Sequence, residues 1–282
     1  MEAPVFIIVL VAAVFHATWN AFIKIDGNRL IFMALMLAIG GTGALISTAF
    51  LPLPSPESWP YIALSVLLHQ GYLIFLLLAY RFGDLSHVYP LARGSAPLVI
   101  AFVSITLIGE QLSHHSLIAI TLMGVGIMSL SFTRGAQNLR NPTAVFFALG
   151  TGLFIAGYTL TDGVGARLAG NAHSYSAWML GLEWIPIAVY AFFRHRWNLM
   201  PRLIKIWKPA ALTGLLSLAA YWSVIWAMTV APIALVAALR ETSIIFALIL
   251  GVVFLKERLS LVKLAATFTT LIGTILIKLG RT

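Results

Sequence analysis

The chain has 282 residues, of which 60% are hydrophobic and only 10% are charged, and its mean hydropathy is +0.96. This composition excludes a soluble globular protein, because a surface that faces water carries far more charge. The formal net charge of +9 does not indicate a nucleic-acid partner, since the basic residues are dispersed among short loops. The lack of cysteine excludes disulfides, thiolate metal sites and cysteine nucleophiles.

Apolar runs of about 20 residues, the length that crosses a lipid bilayer as a helix, fill nearly the whole sequence. We predict ten such spans, at residues 4–23, 30–51, 60–80, 85–108, 114–132, 142–161, 173–193, 207–228, 232–255 and 260–279. The loops between them are too short to hold a soluble domain. No basic segment precedes the first run, so we expect it to be retained and not cleaved as a signal peptide.

Turn and capping residues support the breaks between these spans. Three prolines within residues 51–56 end the second span, because each lacks an amide donor and crowds the preceding helical turn. Asn141 is an expected N-cap of the sixth span, with proline at the first helical position. Ser113 and Ser260 are the expected N-caps of the fifth and tenth spans.

The two halves of the chain share a duplicated block. Residues 91–132 recur without a gap as residues 238–279, and Arg93 corresponds to Arg240. Each half therefore contains five spans, and two copies of one fold with an odd number of spans cross the membrane in opposite directions. We predict an all-α integral membrane protein of ten transmembrane helices, arranged as two inverted five-helix repeats.

The predicted repeats are residues 1–133 and residues 141–282. In carriers built from inverted repeats, the substrate site lies near the middle of the membrane between the repeats. Rocking of one repeat against the other then exposes the site to each side in turn. The sequence therefore favours a transporter.

Basic residues are distributed unequally between the two sides of the predicted helix bundle. The loops after the odd-numbered spans carry thirteen Lys and Arg residues, and the remaining loops and ends carry three. The even number of spans predicts both termini on one side. The positive-inside rule would place that side outside the cytoplasm.

On these features the chain resembles, over its whole length, the ten-helix EamA-type members of the drug/metabolite transporter superfamily. The resemblance rests on the duplicated block, on the turns at residues 110–113 (EQLS) and 257–260 (ERLS), on the glycine-rich last span of each half, and on residues 19–24 (WNAFIK). It implies a bacterial inner-membrane carrier with a cavity lined by spans one, three, four, six, eight and nine. It also implies cytoplasmic termini, opposite to the charge count, so the sidedness stays open.

Arg93 and Arg240 are the strongest candidates for substrate binding. An arginine inside a span costs at least about 2.5 kcal/mol on insertion, so it normally faces protein or water and has a partner. The planar guanidinium suits a carboxylate, phosphate or phosphonate group. The structural alternative is that Arg240 pairs with Glu241, while Arg93 satisfies backbone carbonyls near Pro90 and Pro97.

Glu241 stands where the first half has Gly94, so the symmetry breaks at a candidate carboxylate. Glu241 has three possible roles: a proton carrier, a binding group for a substrate ammonium, or a permanently ionised partner of Arg240. His16 and Glu183 are the other candidates for proton coupling, because both are titratable residues within apolar spans.

The first span carries a polar and aromatic face, formed by His16, Trp19 and Asn20 at helical spacing. We expect this face to point away from lipid and to contact substrate, with packing as the alternative. Its counterpart in the sixth span offers Tyr158 and Asp162. We place Asp162 near the end of that span, where a solvated role is expected.

The third and eighth spans supply further side chains for a cavity wall. These are His69, Gln70 and Tyr72 in the third span, and Tyr221 and Trp222 in the eighth. The sequence therefore predicts a cavity with aromatic walls, although a packing role is equally compatible with these residues.

We predict a secondary transporter of a small polar organic metabolite, such as a carboxylate, an amino acid or a phosphonate, with protons as a candidate coupling ion. The alternatives are efflux of aromatic or cationic compounds and flipping of a lipid-linked substrate. No H-E-x-x-H or G-x-S-x-G motif occurs, so we expect no enzymatic activity, catalytic residue, metal or cofactor. The expected partners are the lipid bilayer and the small-molecule substrate, without nucleic acid, and a monomer is compatible with the sequence.

Overall fold

The computed structural model describes residues 1–25, 29–132, 141–195, 199–253 and 260–280. These residues form α-helices almost throughout, and no β-strand occurs among them. In chain order the helices are α1 Ala3–Ile25, α2 Arg29–Ser47, α3 Trp59–Phe82, α4 Leu85–Val103, α5 His114–Ser129, α6 Pro142–Leu168, α7 Ala172–His195, α8 Leu199–Val230, α9 Ile233–Arg240, α10 Ser243–Val253 and α11 Leu261–Leu279. A π-helical turn, Ser104–Ile108, continues α4, and a 3₁₀ turn, Leu130–Phe132, continues α5.

The helices correspond to the predicted spans. In the described part of the chain, nine segments are long and apolar enough to cross a membrane, with α9 and α10 counted as one. The fifth predicted span is represented by α5, which is shorter and is continued by the 3₁₀ turn. The predicted all-α membrane fold is confirmed.

The expected helix caps form as the sequence indicates. The Ser113 and Ser260 hydroxyl oxygens each accept the backbone N–H three residues later, at 3.3 Å. The Asn141 Oδ1 atom accepts the backbone N–H two residues later, at 3.1 Å. These side chains satisfy N–H groups that have no partner in the first helical turn.

Two helices are longer than predicted. Helix α6 continues to Leu168, past the predicted end at residue 161, because Gly163 and Gly165 do not break it and instead allow close contact with side chains of neighbouring helices. Helix α8 begins at Leu199, eight residues before the predicted start. Hydropathy ends a span at charged residues, whereas helical hydrogen bonding continues through them.

The ninth predicted span is not one continuous helix. Helix α9 ends at Arg240 and α10 begins at Ser243, and the intervening Glu241 and Thr242 donate their backbone N–H groups to carbonyls three residues earlier. Helix α4 runs unbroken through the corresponding Arg93. The two halves therefore differ in backbone conformation where their sequences differ, and carriers often bind substrate at such broken helices.

Helices of the two halves pack against each other in a symmetric pattern. The extensive contacts between halves include α1 with α8, α3 with α6, α2 with α7, and α5 with α11. Exchanging the halves converts the first contact into the second and leaves the other two unchanged. This is the pattern that two equivalent halves require, and the repeat boundaries at residues 133 and 141 stay a prediction.

The helix termini gather at two ends of the bundle. End A holds the start of α1 and the end of α11, and the Lys278 Nζ atom lies 5.2 Å from the Phe6 ring centre there. End B holds the end of α3 and the start of α6, where Asn141 donates its side-chain N–H to the Phe82 carbonyl at 2.9 Å. The helices run alternately between these ends.

Candidate functional site

A cavity of about 130 Å³ lies between the two halves of the bundle. Its lining runs from the middle of the helices toward end B, and it comes from α1, α2, α3, α4, α6, α7, α8 and α9. Helices α2 and α7 are additions to the set that the resemblance implied. Ten residues that the sequence predicted for the site or its wall line the cavity: His16, Trp19, Asn20, His69, Tyr72, Arg93, Tyr158, Glu183, Tyr221 and Arg240.

Three predicted site residues do not line the cavity. Gln70 donates its side-chain N–H to the Glu183 backbone oxygen at 3.0 Å, and Trp222 donates its indole N–H to His173 Nδ1 at 2.9 Å. Adjacent residues on a helix point about 100° apart, so Tyr221 faces the cavity while Trp222 does not. Glu241, the third, lies behind the cavity wall in an ion pair.

Arg93 and Glu241 form this ion pair across the two halves. The Arg93 Nη2 and Nε atoms lie 2.9 and 3.0 Å from Glu241 Oε2, and Nη2 is also 3.5 Å from the Ser243 hydroxyl. Both charged side chains are buried. The structural alternative had Glu241 paired with Arg240, and this is wrong: Glu241 pairs with Arg93, which contacts no carbonyl near the α4 prolines.

Arg240 is buried, and no counter-ion lies beside it within the described ranges. Only 4% of its surface is exposed, and its Nε atom has no hydrogen-bond partner. Its guanidinium makes neither a hydrogen bond nor an ion pair with any described residue, and its Cζ atom lies 5.8 Å from the Tyr221 ring centre. An unpaired buried charge is costly, so an anion in the cavity would be strongly favoured beside it.

Two tryptophans add further donors to the cavity. The indole nitrogens of Trp19 and Trp184 are buried and have no hydrogen-bond partner among the residues that the structure describes, and both residues line the cavity. An indole N–H can only donate, so both groups suit an acceptor. Sequence reasoning missed Trp184 as a site residue. The signal in the sequence was the pair Gly40 and Gly41 in α2, which leaves room for a large neighbouring side chain. A Cβ atom on Gly41 would lie 2.0 Å from the Trp184 ring.

The predicted aromatic residues gather on one wall. His69 stacks on Tyr158 with ring centres 4.0 Å apart, and the Tyr72 and Tyr221 rings lie 5.9 and 6.0 Å from the Tyr158 ring. These contacts use the ring faces and edges that aromatic groups prefer. The wall offers flat apolar surface to the uncharged part of a substrate.

Asp162 is buried, contrary to the solvated role that we expected. It lies six residues before the end of α6, not at a helix end, and it has no exposed surface. Its two carboxylate oxygens accept hydrogen bonds from the Tyr175 hydroxyl at 3.0 Å and the Tyr221 hydroxyl at 2.5 Å. The misplaced end of the sixth span caused this error.

Glu183 has a partner that the sequence did not identify. Its Oε1 atom lies 3.9 Å from His69 Nε2. His69 Nδ1 in turn lies 2.9 Å from the Ser65 backbone oxygen and 3.2 Å from the Ser65 hydroxyl. Residues 114 positions apart are thus connected through the interior, which spacing along the chain does not reveal.

An ion pair closes the bundle at end A. The Glu110 Oε1 atom lies 2.7 Å from Arg167 Nη2, and Glu110 also accepts the backbone N–H groups of the first two residues of α9, at 2.8 and 3.4 Å. Arg167 donates to the Met228 and Ala231 carbonyls at 2.8 and 3.0 Å. We call these contacts the end A latch. Glu257, the counterpart of Glu110, lies outside the described residues.

Comparisons with known proteins place this architecture in a family. Residues 142–279 match the EamA-like transporter family. The second half of the chain belongs to this family. The EamA-like transporters are part of the drug/metabolite transporter superfamily, so the resemblance inferred from the sequence is confirmed.

A likeness to solved structures covers the whole EamA-like chain. One crystal structure, described only as that of a protein, matches with a TM-score of 0.78 and 16% sequence identity over 99% of both chains. At this identity the likeness shows the fold alone. No curated protein matches the sequence.

Family membership gives this EamA-like protein its general class. It is a multi-pass membrane transporter of a superfamily whose members are generally not enzymes. Among the described residues, no group of three His, Asp or Glu side chains could hold a metal ion. The chemistry of the site therefore resides in its unpaired donors, its aromatic wall and its buried carboxylates.

Proposed function

We propose that this protein is a secondary transporter that carries a small polar organic anion or zwitterion across the bacterial inner membrane by alternating access. The observation that carries the proposal is Arg240, a buried guanidinium that lines the cavity and has no counter-ion among the described residues. Because the planar fork of donors matches a carboxylate or phosphonate, such a group on the substrate binds there.

The other cavity donors support an acceptor-rich substrate. Trp19 and Trp184 each present a buried indole N–H without a partner. A substrate oxygen that accepts from either indole is favoured, because an unmade hydrogen bond of a buried donor costs about 1–3 kcal/mol. Together with Arg240, these groups orient one end of the substrate, while the aromatic wall holds the other.

The size of the cavity supports a small solute. A single water molecule takes up roughly 10–15 Å³ of such a cavity, so a cavity of about 130 Å³ holds on the order of ten water-sized groups. A carboxylate, an amino acid or a phosphonate metabolite has this size. A lipid-linked substrate would need a groove open to the bilayer along much of its length.

The arrangement of the two ends supports alternating access. The cavity extends toward end B, whereas the latch between Glu110 and Arg167 closes end A. The latch joins α6 and α9 of the second half to the segment after α4 of the first half. Opening of the latch, combined with closure of end B around α1 and α2, would expose the same site to the other side.

Efflux of cationic or aromatic compounds is the second candidate function. Glu183 favours it, since this carboxylate lines the cavity and lies near the aromatic wall without an arginine or lysine partner in the described ranges. In that case a substrate cation binds Glu183, and Arg240 has no direct role in recognition.

The test uses three compounds that share a phenyl ring and differ in charge: hydrocinnamate, phenylalanine and phenethylamine. Purified protein is heated with each compound, and a ligand that binds the folded state raises the melting temperature. We expect hydrocinnamate or phenylalanine to raise it, and Arg240→Gln to abolish the rise.

Arg81→Gln is the matched control, because Arg81 is an exposed arginine at end B. Uptake into proteoliposomes is measured for the same variants. Stabilisation by phenethylamine alone, unchanged in Arg240→Gln, would replace the anion proposal with the cation alternative.

A further inference from the structure

Asp162 is held in the interior by neutral donors. Its oxygens accept hydrogen bonds from Tyr175 and Tyr221, and both hydroxyls are neutral donors that bring no positive charge. Burial of an ionised carboxylate without a cation is costly, and binding a proton removes that cost. Asp162 is therefore a site at which a proton can bind and neutralise a buried charge.

Asp162 differs from most of the other inner carboxylates in the residues that it contacts. Glu241 and Glu110 each contact an arginine, at 2.9 and 2.7 Å, so each of these carboxylates has a positive charge beside it. In the parts of the chain that the structure describes, Asp162 and Glu183 are the inner carboxylates that contact no arginine or lysine. These two are also connected to each other.

Polar side chains of α3 form the connection. The Ser65 hydroxyl contacts Asp162 and lies 3.2 Å from His69 Nδ1, and His69 Nε2 lies 3.9 Å from Glu183 Oε1. Because the Ser65 backbone oxygen at 2.9 Å from Nδ1 can only accept, Nδ1 carries the ring proton and Nε2 is free to receive one. Glu183 lines the cavity, so a proton from cavity water can reach Asp162 by this route.

Tyr221 connects Asp162 to the substrate site. Its hydroxyl donates to Asp162 at 2.5 Å, and its ring lies 5.8 Å from the Arg240 Cζ atom. When Asp162 gains a proton, the charge that accepts this hydrogen bond is lost and the ring beneath Arg240 can shift. The occupancy of the proton site thereby changes the surroundings of the guanidinium.

We propose that Asp162 binds the proton that couples transport, that Glu183 and His69 conduct this proton from the cavity, and that Tyr221 transmits its binding to Arg240. The step transfers one proton from cavity water to a carboxylate oxygen of Asp162, and no electron moves. This inference rests on the proposed transport function.

The groups that surround Asp162 come from α3, α7, α8 and α9. The titratable groups that face it are His69 on α3, Tyr175 on α7 and Tyr221 on α8. From α9 the contact with this part of α6 is apolar, through Ile233, and Arg240 acts on the cluster through Tyr221. A change in pH therefore acts on Asp162 through the Glu183 and His69 route.

The first experiment needs no substrate. Infrared difference spectra between acidic and alkaline pH detect the C=O stretch of a buried carboxyl group that gains a proton. We expect such a band in the wild type, its loss in Asp162→Asn, and its retention in Glu57→Gln, which removes an exposed carboxyl at end A. A wild-type band that persists in Asp162→Asn, or no band in the wild type, overturns the proposal.

The second experiment measures transport in proteoliposomes with whichever compound of the phenyl series the wild type accumulates. We expect Asp162→Asn to lose accumulation driven by a pH gradient at least tenfold while it retains exchange of labelled for unlabelled compound. Accumulation that still follows the pH gradient in Asp162→Asn overturns the coupling role. Loss of exchange as well as accumulation indicates a structural role and also overturns it.

A milder variant keeps the inference testable if Asp162→Asn fails to fold. Tyr175→Phe removes one donor from Asp162 but keeps the buried ring, which does not line the cavity. We expect it to move the pH of half-maximal infrared change, and an unchanged midpoint contradicts the assignment of the band to Asp162. The infrared result does not depend on Arg240, so failure of the anion site and failure of the proton site are distinguishable.

Discussion

Arg93 of the first half and Glu241 of the second half are joined by a buried ion pair with an N–O distance of 2.9 Å. The pair connects α4 to the break between α9 and α10, directly beside Arg240. The duplicated arginines thus have unequal roles. Arg93 has a counter-ion within the chain, and Arg240 is left to the cavity.

Removal of one partner of the pair should destabilise the protein more than removal of both. Arg93→Met leaves Glu241 buried without its ion-pair partner, which typically costs about 3–5 kcal/mol. The double variant Arg93→Met with Glu241→Met removes both charges of the pair. Unfolding of the purified protein by denaturant measures the difference. Equal losses of stability in the single and double variants would contradict the ion pair.

Arg240 should show the opposite balance between stability and binding. Arg240→Gln removes a buried charge that has no counter-ion in the described part of the chain, so the unfolding free energy without ligand should stay unchanged or rise. Binding of the anionic phenyl compound should weaken by about 10- to 100-fold, as expected for a lost hydrogen bond to a charged group. Melting curves with and without the compound test both statements, and a large loss of stability without ligand would show that Arg240 has a structural partner.

The end A latch should control access to the interior. Glu110→Gln keeps an oxygen for the N–H groups of α9 but removes the charge that binds Arg167. The chain has no cysteine, so a single Leu235→Cys reporter on buried α9 has no background labelling. We expect labelling by a membrane-impermeant maleimide to accelerate about fivefold or more in Glu110→Gln.

Glu57→Gln is the control for the latch, because Glu57 is an exposed carboxylate near the start of α3 at end A. It should leave the labelling rate of the Leu235→Cys reporter unchanged. An equal rate in Glu110→Gln and in the parent would mean that other contacts keep end A closed.

A glycine of α2 should determine the position of Trp184. A Cβ atom on Gly41 would lie 2.0 Å from the Trp184 ring, whereas one on Gly43 would be 3.8 Å from its nearest neighbour. Gly41→Ala should therefore displace the indole and cost about 1–3 kcal/mol, while Gly43→Ala should be neutral or stabilise the helix by up to about 1 kcal/mol. Tryptophan fluorescence and unfolding measurements distinguish the two, and similar effects of both substitutions would place Trp184 elsewhere.

Hydropathy and duplication predicted most of the helical plan. Apolar runs located the spans because a lipid environment requires about 20 apolar residues for each crossing. The same reasoning misplaced the end of α6 and missed the break at Glu241, since neither depends on hydropathy. The error at α6 led directly to the wrong expectation for Asp162.

The candidate site was predicted in its composition but not in its connections. Arg93, Arg240, Trp19 and Tyr221 stood out because polar and aromatic groups are costly or conspicuous in apolar spans. Trp184 did not stand out, since a tryptophan in the middle of an apolar span is equally compatible with a packing role.

By itself the sequence determined that this protein is a helical membrane transporter of duplicated construction, with two arginines at equivalent places. Those properties follow from composition and periodicity, which act locally along the chain. Only the tertiary structure decided that Glu241 pairs with Arg93, that Arg240 faces the cavity with no counter-ion among the described residues, and that Asp162 connects through α3 to Glu183. Ion pairs and hydrogen bonds depend on distances of about 3 Å between residues far apart in sequence, and those distances exist only after the helices have packed.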